Sequence, residues 1–213
     1  MGAGQSSITL DKKQLDEYIK DPSVPLTNPE TITILCSRFT YLHVKTFHPD
    51  KQQKEYLRIQ KKTRILNELE VMIEDIGLLK EFEFNPFLQR IKWALQIRNK
   101  TKESASVKEF LSIMSVFCYE TDISQKREFM FNLYDKDGTN AISIIELKNI
   151  LTNELFTRSH YSDVQEAIAE GRNYNGIIKS SYSDRTMKEV MLEIMAEYDQ
   201  DSNKEVDWTE FQQ

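Results

Sequence analysis

Two acidic stretches of twelve residues carry oxygen-bearing side chains at alternate positions, 135–146 and 199–210. Carboxylate, hydroxyl, amide and backbone carbonyl oxygens are the ligands that hard divalent cations prefer. A twelve-residue loop that curls round an ion directs alternate residues inward and so supplies the roughly six to eight oxygens that Ca²⁺ takes. The spacing therefore predicts cation-binding chemistry at two separate places in the chain.

The oxygen donors fall at positions 1, 3, 5, 7, 9 and 12, which is the pattern of an EF-hand calcium loop. In the first stretch these donors are Asp135, Asp137, Thr139, the backbone carbonyl of Ala141, Ser143 and Glu146. In the second they are Asp199, Asp201, Asn203, the backbone carbonyl of Glu205, Asp207 and Glu210. Acidic surface turns that hold no ion are the alternative, which the repetition of the full pattern disfavours. We expect two Ca²⁺ sites.

Positions 6 and 8 add further detail to both loops. Ile142 and Val206 at position 8 are expected to face away from the ion and to pair with each other. At position 6, where a Gly with positive φ is usual, the chain has Asn140 and Lys204. Asn tolerates the left-handed region, whereas Lys pays about 1 kcal/mol there. The second loop also carries four ligand carboxylates against three in the first, so the sequence does not rank the two sites.

Amphipathic helices flank both loops and predict an all-α fold. Apolar residues recur at helical spacing around 29–41, 66–79, 85–97, 107–118, 125–134, 145–155 and 186–198. The chain has 6 Gly and 5 Pro, fewer than multi-stranded β folds or dinucleotide-binding folds usually need. The expected fold class is an EF-hand protein of the calmodulin-like superfamily, with two lobes of paired hands and a degenerate N-terminal pair.

The domain organisation follows from where the loops and breaks fall. We expect an N-terminal arm at 1–30, a lobe with non-binding hands at 31–122 and a calcium-binding lobe at 123–213. The N-terminal lobe contains a Lys/Gln-rich insert at 45–64, and the C-terminal lobe an inserted connection at 157–183.

Two silent hands are expected upstream of the acidic loops. If Glu109 is a position 12, then positions 1, 3 and 5 of its loop are Arg98, Lys100 and Lys102, whose charges repel Ca²⁺. The other silent hand is expected near 43–55, distorted by the Lys/Gln-rich insert.

Composition excludes several classes of function. The formal net charge is −6, so binding nucleic acid through a global basic field is not expected. Cys36 and Cys118 are the only cysteines, too few for a disulfide framework or a thiolate metal site. No apolar run approaches the roughly 18 residues of a membrane-spanning helix, and no signal peptide is visible, so we expect a reducing, cytoplasmic setting. No Ser/His/Asp set, phosphate-binding loop or paired-carboxylate cleft stands out, and the protein is not expected to be an enzyme.

The order and spacing of several short segments resemble the calcium- and integrin-binding (CIB) family, whose members are close relatives of calcineurin B. The segments are Leu15-Asp16-Glu17-Tyr18, Ser37-Arg38-Phe39, Phe84-Asn85-Pro86-Phe87 with Arg90-Ile91, Glu109-Phe110-Leu111, Ser115-Val116-Phe117 and both acidic loops. The resemblance implies four hands, of which the last two bind ions. It also implies a regulator that docks an amphipathic helix from the cytoplasmic part of a membrane protein, such as an integrin tail or a channel. A calcineurin B-like regulatory subunit of an enzyme such as a protein phosphatase is the alternative. Two departures are the long connection 157–183 and the short exiting segment that ends at Gln213.

Apolar residues on the predicted helices are candidates for the groove that holds a partner helix. Methionines at i, i+4 and i+8 line one helix face, and EF-hand lobes expose Met-rich grooves when Ca²⁺ binds. The predicted groove residues are Phe110, Met114, Phe131, Leu147, Met187, Met191 and Met195.

The first residues, Met1-Gly2-Ala3-Gly4-Gln5-Ser6, fit the N-myristoylation pattern with Gly2 as the acceptor. One myristoyl chain anchors a protein only marginally, so we expect reversible, peripheral contact with a membrane. Ca²⁺ is the expected ion because both loops end in Glu, and Mg²⁺ is considered for the resting state.

A further tripeptide, His48-Pro49-Asp50, matches the one that J-domain co-chaperones use, but the prolines upstream leave no room for the helix that a J-domain requires.

Overall fold

The structure, a computed structural model, describes residues 8–82, 85, 87–151 and 184–213. The side chains of Asp184 and Met187 lie outside the described part. Contacts between residues divide the chain into two compact units, one that ends at Lys126 and one that runs from Arg127 to Gln213. In the described part, no helix combines the length and the apolar character that crossing a membrane requires.

The first unit is helical apart from one pair of short strands. Its helices are α1 Lys12–Ile19, α2 Pro29–Phe47, α3 Gln52–Lys61, α4 Leu88–Arg98 and α5 Val107–Met114. Its strands are β1 Glu70–Met72 and β2 Ser104–Ser106. Short 3-10 helices lie at Pro49–Lys51, Thr63–Glu68, Ile73–Leu78, Lys80–Phe82 and Ser115–Phe117. Helix α6, Ile123–Tyr134, spans the boundary between the units in sequence.

Helix α2 begins where the sequence predicts and ends later. Asn28 caps it by accepting a hydrogen bond of 2.8 Å from the backbone N–H of Glu30, and Pro29 occupies the first turn. The helix continues past residue 41 to Phe47 because Leu42 and Val44 are fully buried, so burial extends it.

Strands β1 and β2 are antiparallel and place Val71 opposite Ala105. Ala105 is position 8 of the loop 98–109, so the structure confirms this silent hand. Its partner strand lies at Glu70–Met72, and the prediction of a silent hand near 43–55 is therefore wrong. Residues 43–55 instead form the end of α2, a 3-10 turn and the start of α3.

The helix predicted at 66–79 is also wrong, because this segment is a strand between two 3-10 helices. Its apolar residues, Leu66, Val71, Ile73 and Ile76, are all fully buried. They reach the core from a strand and two tighter helices, so their burial did not require one continuous α-helix.

The N-terminal arm and the Lys/Gln-rich insert both pack onto the core of the first unit. Tyr18 is fully buried, and its hydroxyl donates a hydrogen bond of 3.0 Å to Oδ1 of Asn67. Ile59 anchors α3 in the same way and is 0% exposed. Burial of such side chains stabilises each segment by about 1.5–3 kcal/mol per residue.

The second unit contains two more helix–loop–helix elements. They comprise the end of α6, α7 Ile144–Ile150, α8 Asp184–Tyr198 and α9 Trp208–Phe211, with strands β3 Ala141–Ser143 and β4 Glu205–Asp207. The strands are antiparallel, with Ile142 opposite Val206. The core beneath them consists of Phe131, Ile142, Leu147, Met195 and Val206.

Candidate metal centres

The first acidic loop gathers three carboxylates at one point. Oxygens of Asp135, Asp137 and Glu146 all lie within 4.8 Å of one another. Asp135 directly follows α6, and Glu146 lies in the first turn of α7. Two helix ends thus bring together residues eleven positions apart, at the separation at which one cation could contact all three.

Both oxygens of Glu146 are held in place by the loop. Oε1 accepts hydrogen bonds from the backbone N–H groups of Lys136, at 2.7 Å, and Asp137, at 3.2 Å. Oε2 accepts from the backbone N–H and the hydroxyl of Ser143, at 3.0 and 2.9 Å. The N–H of Glu146 donates back to the Ser143 hydroxyl, which completes a capping box at the start of α7. This box fixes the position-12 carboxylate against the loop.

Asp135 is the buried member of the cluster, at 3% exposure. Its carboxylate accepts from the backbone N–H groups of Thr139, at 3.1 Å, and Asn140, at 2.9 Å. Burial raises the pKa of Asp135, the charge of Glu146 raises it further, and the backbone donors oppose both effects. A cation at the cluster would relieve this repulsion, so the donor set and its electrostatics fit an oxygen-ligated divalent ion.

The second loop repeats the first loop contact for contact. Oε1 of Glu210 accepts from the N–H groups of Gln200, at 2.7 Å, and Asp201, at 3.3 Å. Oε2 of Glu210 accepts from the N–H of Asp207 at 3.0 Å, again as part of a capping box. Carboxylate oxygens of Asp199, Asp201 and Glu210 lie within 4.8 Å of one another. In the described residues, these two loops hold the acidic clusters whose geometry suits a metal ion.

The two loops also share their backbone conformation. The φ angles at position 6 are 62° for Asn140 and 72° for Lys204, as the loop pattern predicts. Position 4 is also left-handed, with 72° at Gly138 and 62° at Ser202. Sequence reasoning missed the requirement at position 4, although the Gly there was the available signal. Both loops therefore accept strain from non-Gly residues in order to curl.

The loops are joined to one core through equivalent residues. The N–H of Asp135 donates to the carbonyl of Phe131, and the N–H of Asp199 donates to the carbonyl of Met195, both at 2.9 Å. Phe131 and Met195 thus stand four residues before position 1 of their loops, and both pack in the cluster that contains the Ile142–Val206 pair. A shift of either loop is transmitted to the same apolar cluster.

The predicted groove residues fall into three groups. Phe110 and Met114 are buried in the first unit. In the second unit Phe131, Leu147 and Met195 share one cluster, whereas Met191 packs with Leu151 in another. The side chain of Met187 lies outside the described part, as do Gly2 and the connection 157–183. Because every described groove residue is buried here, the groove remains a prediction that requires helices to move.

The silent hand at 98–109 keeps the same framework but supplies its own cation. Glu109 accepts from the N–H and the hydroxyl of Ser106, both at 2.9 Å, as Glu146 does from Ser143. The Lys102 ammonium lies 2.5 Å from the other oxygen of Glu109. This hydrogen bond is the largest cause that lowers the pKa of Glu109 to about 2.

The other silent hand is closed by side chains of α2. Counting from Val71 at position 8 makes Glu70 position 7 and Asp75 position 12. The carbonyl of Glu70 accepts a hydrogen bond of 2.7 Å from Nδ1 of His43, and Asp75 accepts one of 2.6 Å from the Thr46 hydroxyl. Sequence reasoning missed both groups because they lie more than twenty residues upstream of the loop.

Helix–loop–helix units paired through short antiparallel strands, with acidic clusters in two of their loops, define an all-α EF-hand protein. The predicted fold class is thereby confirmed, and comparisons with known proteins agree. No family model matches the chain.

Three curated relatives are similar to it over part of its length. Calcineurin B type 2 of Dictyostelium discoideum is 26% identical over 138 residues, which cover 62% of this chain and 74% of the relative. Calcineurin B homologous protein 3 of Gallus gallus is 32% identical over 138 residues, 56% of this chain and 64% of the relative. Calcineurin B of Naegleria gruberi is 30% identical over 117 residues, 53% of this chain and 63% of the relative.

The chain spans less than two thirds of the length of the second and third of these relatives. Its homologues are thus calcineurin B-type proteins at modest identity, whereas the more specific resemblance to the CIB family remains a prediction.

Proposed function

We propose that this protein is a calcium-binding, non-enzymatic regulatory protein that docks an amphipathic helix from the cytoplasmic part of a membrane protein. The two acidic loops bind one Ca²⁺ each, and the helices attached to them form the docking surface. An integrin tail or a channel segment is the type of partner that the CIB-like segments of the sequence imply.

The observation that carries the proposal is the repetition of one contact pattern in two paired loops. The position-12 carboxylates of Glu146 and Glu210 accept equivalent backbone hydrogen bonds, and each faces two Asp carboxylates. An isolated acidic turn has no reason to reproduce this geometry, whereas an oxygen cage for Ca²⁺ requires it.

The docking half of the proposal is supported by the position of the apolar core. Phe131 and Met195 stand directly before the loops and share one cluster. Movement of α6 and α8 on ion binding would open this cluster, and Met195 and Met191 offer the adaptable thioether surface that suits a partner helix.

A second candidate function is favoured by the names of the relatives. Two of them are named as calcineurin B proteins, so the chain could serve as the regulatory subunit of an enzyme such as a protein phosphatase. The same loops and the same apolar cluster would then hold a helix of the catalytic subunit.

The proposed location is cytoplasmic and peripheral at the membrane. A myristoyl group on Gly2 would give reversible contact, and binding of the membrane protein would supply the second attachment that a single acyl chain needs. Mg²⁺ is proposed to occupy the loops at rest and to yield to Ca²⁺.

Binding measured against two purified partners tests the proposal. Peptides with the sequence of amphipathic juxtamembrane helices and a phosphatase catalytic subunit are each titrated with the protein, in Ca²⁺ and in chelator. We expect Ca²⁺-dependent binding to the peptides, lost in Glu146→Gln/Glu210→Gln and kept in the matched control Glu109→Gln. Binding to the catalytic subunit alone would establish the second candidate, and binding to neither would refute both.

A further inference from the structure

We infer that the exposed face of α3 is a docking surface for anionic phospholipid headgroups. This inference goes beyond the proposed function, because it concerns neither the acidic loops nor the partner groove.

The segment 51–64 has the opposite charge to the rest of the chain. It contains six Lys or Arg and a single acidic residue, Glu55, in a chain of net charge −6. Glu55 is buried and pairs with Arg58, whose side chain is still 56% exposed. The six cations are Lys51, Lys54, Arg58, Lys61, Lys62 and Arg64.

Helical geometry places several of these cations on one face. Lys54, Arg58 and Lys61 are spaced i, i+4 and i+7, so they project from the same side of α3. The opposite side packs inward through Glu55 and Ile59, which are 8% and 0% exposed. The fold therefore holds α3 by one side and presents the basic side to solvent.

Leu57 lies in the middle of the basic face and is 49% exposed. Phe47, at the end of α2, is also exposed, at 47%. Large apolar side chains surrounded by cations are the composition with which helices lie on membrane surfaces, where the cations contact headgroups and the apolar residue enters the acyl boundary. This mixture favours a lipid surface over nucleic acid.

Few acidic groups neutralise the surface. Within the described residues, the ammonium groups of Lys51, Lys54, Lys61 and Lys62 have no carboxylate within 4.0 Å. The nearby acids are Asp50, which is exposed, and Asp11, whose carboxylate is 4.0 Å from Arg64. The contact with Asp11 also brings the exposed Lys12 and Lys13 of α1 next to the same surface.

Sedimentation with lipid vesicles tests the inference on the full chain. The protein is produced without an acyl group, so that Gly2 does not contribute, and is mixed with vesicles of phosphatidylcholine alone or of phosphatidylcholine and phosphatidylserine. We expect binding to the mixed vesicles only, with a loss at high salt, where the Debye length falls from about 10 Å at 0.1 M to about 3 Å at 1 M.

Three variants assign the binding to α3. Lys54→Gln/Lys61→Gln should lower the partition coefficient roughly 30-fold, since each Lys near an anionic surface contributes about fivefold. Leu57→Gln should lower it severalfold. The matched control Arg127→Gln/Lys188→Gln, which removes two exposed cations of the second unit, should bind as the wild type does. Circular dichroism and Ca²⁺ titration check that each variant is folded.

Four outcomes would overturn the inference. They are equal binding to both kinds of vesicle, unchanged binding by Lys54→Gln/Lys61→Gln, an equal loss in the control, and tighter binding to duplex DNA than to the mixed vesicles. The last outcome would assign the surface to nucleic acid. No partner peptide is used, so none of these results depends on the proposed regulatory function.

Discussion

The ammonium nitrogen of Lys102 lies 2.5 Å from Oε1 of Glu109, the carboxylate at position 12 of a silent loop. Glu146 and Glu210 occupy the same position in the other loops, where each faces two Asp carboxylates. The chain thus satisfies one position-12 carboxylate with its own cation and leaves two for an external ion. The first unit needs no bound ion to close this hand.

Lys102→Met removes the internal cation and keeps most of the apolar stem. The pair is largely solvent-exposed, so we expect a loss of about 0.2–1 kcal/mol in the free energy of unfolding at neutral pH. The folded pKa of Glu109 is about 2 against its ordinary 4.5. Its contribution is therefore present above pH 4.5 and is lost as pH falls towards 2.

Urea denaturation at several pH values measures both effects. The acid-dependent loss should be smaller in Lys102→Met than in the wild type. Lys100→Met, which removes an exposed cation of the same loop, should keep the wild-type profile. Identical profiles for all three proteins would show that the ion pair does not contribute.

Glu146→Gln should remove one of two Ca²⁺ sites. The amide withdraws a charged donor that two backbone N–H groups and Ser143 hold against the loop. We expect the affinity of that site to fall by more than the roughly 10- to 100-fold that loss of an outer hydrogen-bond partner costs a metal site. Isothermal calorimetry should count one site in Glu146→Gln and two in the control Glu109→Gln, and two unaltered sites in Glu146→Gln would refute the assignment.

Val206→Ser should weaken Ca²⁺ binding at both loops. Val206 is 4% exposed and lies opposite Ile142 in the strand pair that joins the loops. Its truncation removes buried apolar surface worth about 1–3 kcal/mol from a structure that both sites share. Calorimetry would show two weakened sites, whereas Ile145→Ser, at a residue 68% exposed in the same unit, should leave both unchanged. Weakening of the second site alone would contradict the coupling.

Ca²⁺ should be preferred over Mg²⁺ and should expose apolar surface. Glu146 and Glu210 reach far enough to give two oxygens each, whereas Mg²⁺ requires near-octahedral ligands at about 2.0–2.1 Å. Met191 and Met195 are both 7% exposed here, so dye binding would report their release. A fluorescence titration with an apolar dye in excess Mg²⁺ should rise on addition of Ca²⁺. A flat titration would indicate that the ions only stabilise a permanently folded adaptor.

His43 should make the first unit sensitive to mild acid. Burial lowers the pKa of His43 from 6.5, more than the hydrogen bond to the Glu70 carbonyl raises it. The unfolded chain therefore binds a proton that the folded chain resists, and stability present above pH 6.5 declines as pH falls. Denaturation between pH 7 and pH 5 should show this decline in the wild type and a flatter profile in His43→Asn. An equal slope in both proteins would exclude His43 as the cause.

The sequence by itself determined the two acidic loops, because a cation loop is a local device. All its ligands lie within twelve consecutive residues, and the capping Ser143 and Glu146 are three residues apart. The spacing therefore predicted the turn, the cap and the strand position of Ile142. It also predicted the silent loop that ends at Glu109, since the same local framework persists without the ligands.

Only the tertiary structure decided what happens in the first hand. Its loop is recognised by the pairing of Val71 with Ala105, which are 34 residues apart in sequence, and it is closed by His43 and Thr46 from a distant helix. The segment that a local pattern assigned to a helix became a strand between 3-10 helices, because burial of Val71 in a shared core outweighs helical propensity. Such contacts join residues that no short window contains, so periodicity alone could not place them.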